Sequence, residues 1–71
     1  MPRFFFHVIA DDLKVPDLVG VELGDAAAVR HLGEAQLAEL WAQRVLAGQP
    51  PLTGWLEVVD SDERAVLNLP L

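Results

Sequence analysis

One stretch of this chain has helical character, and it lies between two stretches that read as paired strands. This arrangement constrains the fold most, because a single helix covers only one face of a sheet. Gly24-Asp25 provides the start, since an Asp side chain accepts from the first free N–H groups of a helix. The alanine run that follows favours helix, and Val29, Leu32, Leu37 and Leu40, with Ala26 and Ala47, recur at helical spacing on one broad face, with Trp41 on its flank. Gly48 ends the segment and Pro50-Pro51 prevents its resumption. The spacing therefore predicts a helix over Asp25–Ala47. Gly33 falls near its middle, which predicts close approach of the helix backbone to the sheet.

Four strands are predicted around it. Phe4–Ala10 is aromatic and β-branched and ends in a turn cluster that includes Asp11, Asp12, Pro16, Asp17 and Gly20. Val19–Leu23 alternates, with Val19, Val21 and Leu23 on one side and Gly20 and Glu22 on the other. "GWLEVV" and "AVLNLPL" form a hairpin around the turn "DSDER". The expected fold is α+β: a single ββαββ domain over residues 1–71, with a mainly antiparallel four-stranded sheet and one helix on one face. If each connection reverses the chain, the order 2-1-3-4 makes every neighbour antiparallel and leaves Pro70 on an edge, where proline is tolerated. The order 2-1-4-3 is the alternative.

Alternation along the strands then assigns two faces. Phe4, Phe6, Val8, Leu56, Val58, Ala65, Leu67, Leu69 and Leu71 are the more uniformly apolar set. They are expected under the helix, forming a core with Val29, Leu32, Leu37 and Leu40. The other face carries Phe5, His7, Ile9, Trp55, Val59 and Val66, mixed with Glu57, Asn68 and Pro70. It is half apolar and has no helix of its own. Contiguous apolar patches of this kind mark interfaces, and a second copy of the chain is the simplest cover. A charge at Phe5 is accordingly expected to split a dimer, and a charge at Phe6 to unfold the domain.

Size points the same way. A domain of 71 residues buries only about 60% of its unfolded surface, and usually needs disulfides, metals or oligomerisation for support. The chain has no cysteine, which removes disulfides and thiolate sites, while 52% of its residues are hydrophobic. Its net charge of −6, with five scattered Lys and Arg residues, argues against nucleic-acid binding. No apolar run approaches the roughly 20 residues needed to span a bilayer. Phe4–Ala10 contains His7, ends in Asp11-Asp12 and lacks a cleavage signature, so it does not read as a signal peptide. No membrane partner and a cytoplasmic setting are expected.

No motif brings specific chemistry. His7 beside Glu57 or Asn68 has the elements of a general base, but no nucleophile accompanies it; Ser61 sits in a turn, Thr53 precedes a strand, and His31 lies off the apolar face of the helix. Pro2, after removal of Met1, would present a secondary amine at the head of a strand, as in the tautomerase superfamily. There, however, a helix follows the first strand, whereas here a turn-rich stretch and a second strand follow. Asp60 and Asp62 have the spacing of a calcium loop, yet Arg64 and Ala65 occupy its fifth and sixth places and Leu71 stands where the closing Glu is needed. The expectation is no catalytic residue, no metal and no cofactor.

The opening Met1–His7, with Asp17, Gly20-Val21-Glu22-Leu23, Trp55 and the hairpin Asp60–Leu67, resembles a family of small bacterial proteins known only as a domain of unknown function. Its members open M-P-R-[FY]-F-F-H. This sequence departs at Arg64, where that family usually has glycine, and at Gly33, where it usually has alanine. The resemblance implies a ββαββ domain and brings no established activity. The residues thus point to a small non-enzymatic interaction or regulatory module, homodimeric through the helix-free face. The alternatives are a small enzyme or ligand binder using His7 or Pro2, and an antitoxin-like regulator with a protein partner.

Overall fold

A computed structural model describes residues 1–11 and 13–71; the turn role expected of Asp12 lies outside the described residues. The fold is α+β. Strand β1 (Arg3–Ala10) is followed by two short strands, β2 (Leu13–Val15) and β3 (Val21–Glu22). Helix α1 (Ala26–Leu46) comes next, then β4 (Gly54–Val59) and β5 (Ala65–Pro70). All pairings are antiparallel, in the order β2-β1-β4-β5, with β3 also on β1.

The helix lies within one residue at each end of the predicted span. Asp25 is its N-cap: its carboxylate accepts the Ala28 N–H at 2.7 Å, and Ala47 is the C-cap. Only Val29 and Gly33 of the helix are fully buried. They lie over a cluster formed with Phe6, Leu56, Val58 and Leu69, and Phe4, Val8, Val21, Leu23, Leu32, Leu37 and Leu67 pack around it. Leu40 is half-buried further along the helix and lines a groove with Val8, Leu13 and Val15. At Gly33 the helix backbone comes close to the sheet. A Cβ there would stand 2.9 Å from Leu69 Cδ1, 3.6 Å from Leu56 Cδ2 and 3.7 Å from Phe6 Cε2.

Three features differ from the sequence expectation. The sheet has five strands, because Leu13–Val15, read as turn, pairs with Val8–Ala10. Asp11 adopts φ 45 in the connection, a conformation suited to tight hairpins, and Pro16, with no N–H to give a ladder, ends the short strand. The second predicted strand shrinks to Val21–Glu22, because the N–H groups of Val19 and Gly20 go to the Asp17 carboxylate instead of to β1. Thirdly, β4 and β5 slip register between Val58 and Val59. Such a bulge places an extra residue on one strand and re-aims side chains. Val66 consequently lines a cleft with Val29, Phe4 and Leu67 beside the helix, rather than standing on the opposite face.

The hairpin turn is held from within. Asp60 Oδ1 accepts from the N–H groups of Asp62 (2.9 Å) and Arg64 (3.0 Å). The left-handed conformation that glycine favours falls on Glu63 (φ 62), one residue before the expected departure at Arg64.

Candidate self-association face and the Asp17 clasp

The sheet face opposite the helix is ordered in rows by the strand register, since directly opposed residues point to the same side. Lys14, Ile9, Trp55 and Pro70 form one row across β2, β1, β4 and β5. His7, Glu57 and Asn68 form the next, and Phe5 and Val59 a third. Trp55 is 45% exposed, whereas Phe5, His7 and Ile9 are half-buried. The structure thus brings together five of the six residues expected at an interface, Phe5, His7, Ile9, Trp55 and Val59, and places Val66 elsewhere. Val59 is only 7% exposed and is covered within the chain.

Part of this cover is the loop between β2 and β3, residues 16–20. Its centre is Asp17, whose carboxylate accepts three backbone N–H groups: Phe6 at 3.1 Å, Val19 at 3.1 Å and Gly20 at 3.0 Å. The Phe6 bond fills the gap in the β1 edge that β2 and β3 leave between them. In return the Asp17 N–H donates to His7 Nδ1 at 2.9 Å. Arg3 ties down the far end of the loop, donating to the Val19 carbonyl at 2.8 Å and pairing with Glu22 at 3.2 Å. The loop also closes on Phe5, since a Cβ at Gly20 would lie 2.7 Å from the Phe5 ring. A cavity of about 410 Å³ lies between the loop and the β4–β5 turn, lined by His7, Asp17, Leu18 and Val59. Leu18, at its rim, is 85% exposed.

The electrostatics follow from this geometry. Burial disfavours the Asp17 carboxylate, but the N–H donors of Gly20, Phe6 and Val19 and the neighbouring His7 outweigh it and hold its pKa below the ordinary value. A lowered carboxylate pKa means stability that is present above the unfolded-state value, about pH 4, and lost as pH falls through the folded-state value. Asp17→Ala is expected to lower stability at neutral pH by about 1–2 kcal/mol, the scale of charge-assisted bonds at a half-exposed site. It is also expected to flatten the acid limb of the stability curve. Urea titrations of both chains between about pH 7 and about pH 3 check this; an unchanged acid limb contradicts it.

Sequence reasoning saw Asp17 as one turn residue among several. The arrangement does little for chemistry at His7, whose Nδ1 is occupied by a backbone amide. Asp60 Oδ1 is likewise engaged by its own turn. Among the described residues no group of three or more His, Asp or Glu side chains is placed to hold a metal ion, and no helix is long and apolar enough to cross a membrane.

The chain matches, over residues 3–71, the family described as Domain of unknown function (DUF6894). It belongs to that family. No curated protein and no solved structure matches the chain. Arg3, His7, Asp17, Gly20 and Glu22, which are among the residues that resemble the family opening and its continuation, meet in this DUF6894 domain as a single unit, the clasp on the β1 edge.

Proposed function

We propose that this DUF6894 domain is a non-enzymatic interaction module that forms a homodimer through the helix-free face of its sheet. The observation behind the reading is the pairing of Ile9 with a 45%-exposed Trp55 on the two central strands, on a face without a helix. Trp is enriched at the centres of interfaces, and a few such anchors dominate association energy. The exposed Leu18 at the rim of the same face extends its apolar area. A second copy is the preferred partner because twofold pairing covers both copies of the face at once. A cytoplasmic setting belongs to the same reading.

The chain has two tryptophans, so Trp41→Phe leaves Trp55 as the sole indole reporter. On dilution from high to low micromolar concentration, Trp55 emission is expected to shift to longer wavelength as the dimer parts and the ring meets water. Emission that does not change across that range contradicts the reading.

A further inference from the structure

We infer that His7 is a pH-responsive latch: in its neutral form it holds the Asp17 amide of loop 16–20 against the helix-free sheet face, and protonation releases that amide. The geometry is specific about the proton. The Asp17 N–H donates to His7 Nδ1 at 2.9 Å, so that nitrogen carries a lone pair and the imidazole is neutral. Protonation turns the acceptor into a second donor facing a donor, and the bond is lost. The Asp17 carboxylate keeps its bonds to the Phe6, Val19 and Gly20 N–H groups, so the loosening starts at the Asp17 amide.

The remaining charged groups around the imidazole are Glu57, opposite it on β4, Lys14 on β2, and Asp60 and Glu63 on the β4–β5 turn across the cavity. Carboxylates outnumber the one ammonium among them. The consequence for assembly rests on the self-association reading above: loop 16–20 carries Leu18 and borders Phe5 and Val59, so its loosening at the Asp17 amide changes the face that the second copy would meet.

The test is amide hydrogen exchange by NMR on the full chain, from about pH 7.5 to about pH 5.5, with protection factors corrected for intrinsic pH dependence. The Asp17 amide is expected to lose protection by up to about tenfold, the scale of one hydrogen bond, as His7 titrates in the same spectra. Amides in the middle of α1 are expected to hold theirs. In His7→Asn, whose Oδ1 can stand where Nδ1 stands and does not titrate, Asp17 protection is expected to be independent of pH. Constant Asp17 protection through the His7 titration of the unmodified chain overturns the latch, as does an equal loss in His7→Asn. Sedimentation of the same samples separates the two ideas: a monomer at every pH whose loop still responds defeats the dimer and leaves the latch standing.

Discussion

Phe6→Glu is expected to abolish the fold. Phe6 is 5% exposed, sits opposite Val58, which is fully buried, and lies beneath the helix at Gly33. Replacing it removes about 1.5–3 kcal/mol of apolar burial. It also asks a carboxyl group to occupy an apolar centre with no hydrogen-bond partner, at a further cost of several kcal/mol. A domain of this size has about 4–10 kcal/mol in total. The expected result is a chain with collapsed NMR dispersion and without a cooperative thermal transition. A folded Phe6→Glu protein would mean that the helix covers the other face of the sheet.

Gly54→Ala is expected to have the next largest effect. Gly54 has φ 150, and a Cβ there would lie 2.0 Å from the Ile9 carbonyl oxygen and 2.7 Å from Ala10 Cα. Both obstacles are backbone atoms of the central strand, so no rotamer change relieves them. The end of the β1–β4 ladder must open, and the adjoining bonds from Asp11 N–H to the Thr53 carbonyl and from Leu71 N–H to the Gly54 carbonyl are strained with it. A backbone strain of this kind costs about 3 kcal/mol, which corresponds to a fall in Tm of about 12–24 °C for a domain of this length. Calorimetry gives the number. A change of only a degree or two would show that the strand end relaxes freely.

These two positions illustrate what was and was not legible in the sequence. Phe6 could be placed because strand side chains alternate strictly, and one misplaced residue would have exposed Leu56 and Leu69 as well. The helix could be placed because its cap, its apolar period and its stop signals agree. Gly33 was legible as a close approach, since glycine inside a helix is otherwise costly. Gly54 was not, because its requirement comes from the Ile9 carbonyl, forty-five positions away in the chain. The β1 edge was also misread. Local pattern assigned its outer partner to a single strand at Val19–Leu23, but Asp17 draws the Val19 and Gly20 amides to its own carboxylate. A side chain that replaces part of a ladder leaves no period in the sequence. Ala65 and Val66 differ from their expected faces for a related reason: the slip at Val58/Val59 sets Ala65 opposite Val59 and breaks the alternation on which both faces are predicted.

The asymmetry of the sheet is the physical basis for the proposed dimer, and the two tryptophans allow it to be tested directly. Trp55 is 45% exposed on the helix-free face, and Trp41 is 39% exposed on the helix. Their exposures are nearly equal, so a glutamate at either site perturbs the monomer to a similar degree, and only its location differs. The decisive measurement is sedimentation equilibrium of the unmodified chain, Trp55→Glu and Trp41→Glu at matched micromolar concentrations, with far-UV CD verifying that each is folded. A dimer is expected for the unmodified chain and for Trp41→Glu. For Trp55→Glu the expected result is a folded monomer, with association weakened by about 30-fold or more through loss of a central anchor. A monomeric unmodified chain, or a dimer that survives Trp55→Glu and parts in Trp41→Glu, would contradict the proposed dimer.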